Sequence, residues 1–313
     1  TIAVSVVYIA ITTPVLIAYD TQPSGFWFTF GAFVNIEGLR ERGGAALLRR
    51  PVRPETLALL TGLTADGSEV CKWIRTWAPH LCPEGRERPG FTLKSRLDRI
   101  LHGSCRRPHH PSPDGLVRVD EELQMAQKLE DVPSLLLMTG DQVYADDVAG
   151  PMLHAIQCVI HQLGLYQEVL EGASLSHSKE LTSVANAYYH RDELLPESEF
   201  NEDLTERFFG GVRKPVFTTA NAGNHLISFA EVMAMYLLVW SPASWQGMPE
   251  LKAPEGLEAK DAEMYAEETA TLKDFRADLP ACRRVMAHLP TAMIFDDHDI
   301  TDDWNLSLAW EQA

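Results

Sequence analysis

Three short apolar runs, each followed at once by polar or acidic residues, constrain the fold of this chain more than any other sequence feature. The runs are Leu97–His102, Ser134–Thr139 and Thr291–Phe295, and helix-like segments separate them. Short runs that alternate with helical patterns predict the strands of an α/β sheet. Because ligands bind beyond the carboxyl ends of such strands, we expect the residues that follow the runs to meet at one edge of the sheet.

Four segments between and around these runs have helical patterns. Residues 118–131 are charged and helix-like, and residues 148–171 carry apolar side chains at helical spacing. Residues 226–240 suit a buried helix, and residues 257–289 suit a long amphipathic helix in which Pro280 is a candidate break. These patterns support the α/β assignment.

A stretch rich in proline and glycine, residues 79–90, is the best candidate for a domain boundary. We therefore expect a β-rich N-terminal region over residues 1–90 and a larger domain over residues 91–313. Residues 1–19 are uncharged, mostly apolar and close to the length of a membrane span. A Thr-Thr-Pro sequence interrupts them, which favours two short strands, and membrane contact through residues 1–19 is the alternative.

Charge and cysteine content narrow the class of protein. The net charge is −17, and because a protein that binds the nucleic-acid backbone normally carries an excess of basic residues, no nucleic-acid partner is indicated. The five cysteines are scattered and form no CxxC pair, so they indicate neither a zinc ribbon nor a disulfide framework. This usage favours a cytoplasmic location, and a membrane-associated or exported protein remains an alternative.

Carboxylates crowd behind the second and third apolar runs. Residues 141–147 hold three aspartates, and residues 296–303 hold five. Two carboxylates about 4 Å apart repel by roughly 4 kcal/mol at an effective dielectric of 20, which is a large part of a typical domain stability of about 5–15 kcal/mol. Solvation, protonation, helix N-termini or bound cations can relieve this repulsion.

Position in the chain separates these aspartates into three kinds. Asp141 and Asp297 directly follow predicted strands, so we expect them to face the sheet edge and to bind a cation. The pair at residues 146–147 is expected to cap the helix that starts at residue 148. The pair at residues 302–303 is expected to be solvated or to cap a helix.

Two other side chains beside these aspartates can take part in chemistry. His298 lies between Asp297 and Asp299, whose charges favour imidazolium, so we interpret it as a proton carrier or a ligand. Tyr144 follows Asp141 by three residues and could project to the same centre. Oxygen donors with an imidazole favour Ca²⁺, Mg²⁺, Mn²⁺ or iron over structural zinc, and a thiolate and a phenolate would favour ferric iron.

Residues 140–146 (Gly-Asp-Gln-Val-Tyr-Ala-Asp), followed far downstream by residues 296–299 (Asp-Asp-His-Asp), carry a specific resemblance. In this order they resemble the PhoD-like (alkaline phosphatase D type) metallophosphoesterases of the calcineurin-like superfamily. Asp303-Trp304 fits the end of the second family motif, and Gly103-Ser104-Cys105 looks like the first metal motif. The resemblance covers about residues 97–313.

The resemblance implies a four-layer α/β/β/α metallophosphoesterase sandwich after a small β-rich region, with the C-terminal part of the domain incomplete. It implies metal-dependent hydrolysis of phosphomonoesters or phosphodiesters by a hydroxide that the metals activate, with Fe³⁺ and Ca²⁺ as cofactors and other divalent ions as alternatives. By position, Cys105, Asp141 and Tyr144 would hold the iron, and Asp141 would bridge to a second metal. Asp297 stands where the superfamily has a metal-binding Asn, and His298 stands where a catalytic His assists the leaving group or the phosphate.

Substrate contacts are less constrained by the sequence. The partner implied is a small-molecule phosphoester, whose phosphate Arg106 and Arg107 could contact, although an ordinary solvated pair of arginines is an equal alternative. The family supplies further His and Asp ligands nearer its C-terminus, and this chain shows none. The alternative function is therefore a non-catalytic metal- or phosphate-binding fragment, or a degenerate homologue.

Two competing motifs are less favoured than this site. Gly223-Asn224-His225 spells the Gly-Asn-His signature of the wider superfamily, but an apolar run follows it, so we prefer residues 296–299. A local zinc site could in principle use four residues at the end of the first run, although their spacing fits no common structural site. These are His102, Cys105, His109 and His110.

Overall fold

The structure of the 313-residue chain is a computed structural model. It describes residues 79–81, 92, 94–182, 187–194, 219, 222–302 and 304. The predictions for the β-rich region over residues 1–90 and for the apolar segment at residues 1–19 therefore lie outside the described residues, apart from a short 3-10 turn at Pro79–Leu81. Within the described part of the chain, no helix is both long enough and apolar enough to cross a membrane.

A small parallel sheet of three strands forms from the three apolar runs. The strands are β1 (Ile100–Gly103), β2 (Leu135–Thr139) and β3 (Thr291–Ile294). Their order is β1-β2-β3, and β2 pairs in parallel with both neighbours. Parallel order brings the three carboxyl ends to one edge. The predicted α/β class is therefore confirmed.

Four α-helices accompany the sheet in the described residues, at the places where the sequence has helical patterns. They are α1 (Gly115–Met125), α2 (Gly150–Leu163), α3 (Phe229–Trp240) and α4 (Ala259–His288). Helix α1 begins earlier than predicted, because the side chain of Asp114 accepts a hydrogen bond from the backbone N–H of Leu116 and caps it. Helix α2 ends earlier than predicted, because Gly164 adopts a left-handed conformation at its C-cap, with φ of 61°.

Helix α4 is continuous through Pro280, so the candidate break at this position is not a helix end. Proline cannot donate the hydrogen bond that would normally reach the carbonyl one turn earlier, and this weakens the helix locally. The flanking residues Leu279 and Cys282 are fully buried against the rest of the core. Tertiary packing on both sides of the proline thus offsets the missing hydrogen bond.

Helices α2, α3 and α4 pack together, and apolar side chains of the sheet belong to the same core. Met152, Leu153 and Ile156 of α2 are completely buried, and Leu136 and Met138 of β2 point to the same core. Burying a large aliphatic side chain contributes about 1.5–3 kcal/mol relative to leaving it exposed. This packing fixes the sheet, and with it the positions of the residues that follow each strand.

One ion pair lies inside this core, at the N-terminus of α3. Arg191 donates to Glu231 over 2.9 Å, and the two side chains are 1% and 0% exposed. Glu231 also accepts hydrogen bonds from the backbone N–H groups of Ile227 and Ser228 at 2.9 and 3.2 Å. Although burial opposes it, the charge of Arg191 and these hydrogen bonds lower the pKa of Glu231. This buried carboxylate is therefore fully compensated by the protein.

Candidate metal centre

Asp141, Asp297 and His298 meet at the carboxyl edge of the sheet. Their potential ligand atoms all lie within 4.8 Å of one another. Gly140 makes this approach feasible, because it has φ of 116° and a Cβ at its position would lie 2.3 Å from the Cβ of Asp296. The ends of β2 and β3 therefore come close enough for their acidic residues to share one centre, as the sequence predicts.

Cys105 brings the end of β1 to the same place. Its Sγ lies 3.2 Å from Oδ2 of Asp141. Beyond the strands, the backbone N–H of Cys105 donates to Gly140 and that of Arg106 donates to Asp141, at 3.2 and 2.8 Å. Cys105 and Asp141 both have positive φ, 58° and 54°, so each side chain leaves a sharp turn at a strand end. All three strand ends thus contribute to one cluster.

Tyr144 completes the group of residues that the sequence places at the centre. Its ring is buried and stacks on the imidazole of His298, with 4.6 Å between ring centroids. Burial, together with the neighbouring Cys105 and Asp141, raises the pKa of the Tyr144 hydroxyl. The phenol therefore stays protonated in the metal-free protein, and only a nearby cation would favour its ionised form.

His298 is held by a carboxylate whose role the sequence did not reveal. Its Nδ1 lies 2.9 Å from Oδ2 of Asp146, which is completely buried and also accepts a hydrogen bond from the backbone N–H of Asp302 at 3.0 Å. Burial alone would lower the pKa of His298, but the hydrogen bond and the negative charge of Asp146 raise it above its usual value. With Nδ1 occupied, Nε2 is the nitrogen available for a ligand or a proton.

The predicted helix-capping role of Asp146 and Asp147 is wrong. Helix α2 begins at Gly150, and its N-cap, Ala149, has no side-chain cap. The carboxylate of Asp146 is engaged by His298, and that of Asp147 lies 2.6 Å from Nη2 of Arg107. Both aspartates lie too early in the turn to reach the first N–H groups of the helix, so they serve the site.

Asp299 links the acidic loop after β2 to the acidic loop after β3 through hydrogen bonds. Its Oδ1 accepts a hydrogen bond from the backbone N–H of Val143 at 2.7 Å, and its Oδ2 accepts one from that of Asp296 at 3.0 Å. Burial raises the pKa of Asp299 to about 6 despite these hydrogen bonds. No feature of the sequence distinguished Asp299 from its acidic neighbours, because its role depends on a contact between loops 156 residues apart.

The residues at the centre fit a metal ion. Oδ1 of Asp141 is buried and has no hydrogen-bond partner among the described residues. A buried unsatisfied carboxylate oxygen is costly, and a cation supplies the missing partner. Carboxylates, an imidazole, a thiol and a phenol form a donor set that suits several ions. A second group, Asp146, His298 and Asp302, also has ligand atoms within 4.8 Å of one another and shares His298 with the first.

The two adjacent arginines have different surroundings. Arg106 is committed to the core: its Nε donates to Asp114 and its Nη1 to the carbonyl of Val239, both at 2.7 Å. Its guanidinium also lies over the ring of Trp240, 4.5 Å from the centroid. These contacts leave Arg106 poorly placed for the phosphate contact suggested by the sequence. Arg107 is 38% exposed at its side chain and stays at the surface of the site.

The competing motifs do not form sites in the described part of the chain. His225 is 3% exposed, its Nδ1 lies 2.6 Å from the carbonyl of Leu226, and burial lowers its pKa to about 3. The Gly-Asn-His segment is therefore a core turn. The residues of the local zinc hypothesis have other partners: His102 contacts Thr139 at 2.7 Å, and His110 contacts Ser112 at 2.9 Å.

Fold and site together define an α/β protein with a candidate metal centre at the carboxyl edge of a parallel sheet. Comparison with known proteins found no matching family model, no matching curated protein and no matching solved structure. The geometry of this centre and the motifs that form it are therefore the features that point to a function.

Proposed function

We propose that this chain is a metal-dependent phosphoester hydrolase of the PhoD-like type. The observation that carries the proposal is the convergence of Asp141, Asp297 and His298 within 4.8 Å, with the thiol of Cys105 on Asp141. A buried, uncompensated carboxylate among these donors favours a cation over a purely structural cluster.

The four-layer arrangement of the fold is also part of this proposal. A four-layer α/β/β/α sandwich would place the three strand ends at the metal site of the family. Two observations support it: the strands are parallel and adjacent, and the Gly-Asp-x-x-Tyr and Asp-Asp-His-Asp segments follow β2 and β3 in the family order. Membership of the family would explain why a thiol and a phenol accompany the carboxylates.

The chain's own residues have distinct roles in the proposed reaction. Cys105, Asp141, Tyr144 and Asp297 would hold metal ions, for which we propose Fe³⁺ and Ca²⁺. When bound, the metals would supply charge neutralisation for the phosphoryl oxygens and would acidify a water molecule.

His298 would supply the proton that the leaving group needs. Its Nε2 would donate to the departing oxygen of a small-molecule phosphoester, which general acid catalysis typically accelerates by about 10²–10⁴-fold. Asp146 fixes the orientation of the imidazole through Nδ1 and raises the pKa of His298, which favours the protonated form that such a donor needs. The buried position of Asp146 prevents water from competing for this contact.

The test compares hydrolysis and metal content in the full chain. Wild type is assayed with p-nitrophenyl phosphate and bis-p-nitrophenyl phosphate after loading with Fe³⁺ and Ca²⁺. Asp141→Asn is expected to lower kcat/KM by about 10³-fold or more, because it removes a ligand and a charge that the metals need. Asparagine tolerates a φ of 54°, so the backbone at residue 141 is preserved.

The matched control is Asp274→Asn, an exposed aspartate on α4, which should leave the activity unchanged. An Asp141→Asn protein as active as wild type would reject the proposed reaction. Stoichiometric metal without hydrolysis of either ester would instead favour the non-catalytic metal-binding alternative.

A further inference from the structure

Arg107 is held on one side of its guanidinium by two acceptors. Its Nη2 lies 2.6 Å from Oδ2 of Asp147. Its Nε and Nη2 lie 3.0 and 2.7 Å from Nε2 of His109. Nε2 of His109 also lies 3.4 Å from Oδ1 of Asp147, so the three side chains form one cluster. His109 and Asp147 therefore fix the orientation of the guanidinium plane.

The opposite edge of the same guanidinium has no such partner. Nη1 carries two N–H groups, and no described residue accepts a hydrogen bond from it. Arg107 and Cys105 line one cavity of about 430 Å³. Asp147, which contacts Arg107, directly follows Asp146, the carboxylate that contacts His298 at the metal centre. A fixed cation with two available donors therefore stands beside the centre.

A phosphoester substrate is an anion, and the guanidinium of Arg107 would bind its phosphoryl oxygens alongside the metals. Asp141 and Asp146 are buried carboxylates at the centre, and a positive side chain beside them offsets part of their repulsion of that anion. Arg106 lines the same cavity, but all three of its nitrogens are engaged, the third by Cys282 at 3.7 Å. Arg107 is the arginine of this pair that keeps donors available for a ligand.

We propose that Asp147 and His109 are positioning residues that hold Arg107 so that its Nη1 binds a phosphoryl oxygen of the substrate. The inference rests on the proposed function, because it assigns the phosphate subsite of that same centre. Fixing an arginine side chain costs rotamer entropy. Here two protein contacts fix the side chain before the ligand arrives, so phosphate binding avoids much of that cost.

The experiment measures binding of inorganic phosphate to the metal-loaded full chain by calorimetry, together with KM and kcat for p-nitrophenyl phosphate. Arg107→Ala is expected to weaken phosphate binding and raise KM by about 10- to 100-fold, the range for a charge-assisted hydrogen bond. Arg107→Lys keeps the charge but not the planar fork, so it should recover only part of the loss. The matched control is Arg118→Ala, an exposed arginine on α1, which should change neither quantity.

The positioning role is tested by a double-mutant cycle. Asp147→Asn is expected to weaken phosphate binding about fivefold in the wild-type background and to have no effect in the Arg107→Ala background. His109→Gln provides an independent variant with the same expectation. Equal effects of Asp147→Asn in both backgrounds would overturn the positioning role.

The outcomes also separate this inference from the proposed function. Wild-type hydrolysis that Arg107→Ala leaves unchanged would overturn the phosphate subsite while leaving the hydrolase intact. Phosphate binding that depends on Arg107 in a protein without hydrolytic activity would support the subsite and reject the hydrolase. A wild-type chain that binds no phosphate would overturn the subsite.

Discussion

Buried carboxylates occur in two regions of this molecule, and the protein compensates them differently. At the N-terminus of α3, Glu231 accepts hydrogen bonds from Arg191 and from two backbone N–H groups. At the edge of the sheet, Asp141 and Asp299 receive hydrogen bonds from a thiol and from backbone N–H groups, and neither forms an ion pair with an arginine or lysine of the described residues. In the first region, Arg191 supplies the positive charge that compensates the carboxylate. In the second region, a bound cation could supply it.

The difference distinguishes a structural carboxylate from a functional one. Burying a charge without a partner costs several kcal/mol, and proteins keep such groups mainly where a ligand supplies the partner. The pKa values follow this division: that of Glu231 is lowered, mainly by Arg191 acting against burial, whereas burial raises that of Asp299 to about 6.

The largest expected effect is on the compensated side. Glu231→Gln removes the charge that Arg191 needs and leaves a guanidinium buried at 1% exposure. Breaking a buried pair in this way typically costs about 3–5 kcal/mol, so the free energy of unfolding should fall by that amount in urea titrations at pH 7. Glu263→Gln, on the exposed face of α4, is the control and should change it by less than about 0.5 kcal/mol. If Glu231→Gln lowers the free energy of unfolding by less than about 1 kcal/mol, the ion pair does not stabilise the core.

The sequence could predict the elements that a local pattern specifies. The apolar runs predicted three strands, and their carboxyl ends predicted that Cys105, Asp141 and Asp297 would meet, because parallel strands share one edge. The predicted helix boundaries were less accurate, because single capping residues such as Asp114 and Gly164 determine where a helix begins and ends.

Contacts between distant segments could not be predicted in this way. The N-cap interpretation of Asp146 was reasonable for an aspartate just before a helix, but a histidine 152 residues later binds it instead. The ion pair between Arg191 and Glu231 joins residues that are far apart in the sequence. The same is true of the hydrogen bond from Arg106 to the carbonyl of Val239. Local sequence patterns do not specify such contacts. Pro280 shows the same principle, because the surrounding core keeps α4 continuous.

The next effect concerns the uncompensated side and its dependence on pH. The pKa of Asp299 is raised from 3.8 to about 6, so its contribution to stability is fully present below pH 4 and is lost as pH rises through 6. In the chelator-treated protein, the contribution of Asp299 to the free energy of unfolding should therefore fall by up to about 3 kcal/mol between these values. Glu231 acts in the opposite direction, because its lowered pKa contributes stability above pH 4.5 that is lost as pH falls.

Urea titrations at half-unit pH intervals measure this slope. Between pH 4 and 6, the difference in the free energy of unfolding between wild type and Asp299→Asn should change by up to about 3 kcal/mol, because the variant lacks this titration. Asp274→Asn, exposed on α4, should keep the wild-type slope. A decline that persists unchanged in Asp299→Asn would assign it to another group and would remove the pKa contrast between the two regions.

The smallest effect compares a thiol at the sheet edge with a thiol in the core. Cys105 is exposed beside Asp141, whereas Cys282 is buried in the core, where burial raises its pKa. Iodoacetamide should alkylate Cys105 faster than Cys282, and metal should slow the labelling of Cys105 by about tenfold, because a coordinated thiolate is less available to react. Mass spectrometry of tryptic peptides gives each rate, and the half-buried Cys158 of α2 serves as the internal control whose rate metal should not change. Because alkylation reports occupancy without turnover, equal rates for Cys105 with and without metal would exclude this thiol from the centre even if the chain hydrolyses phosphoesters.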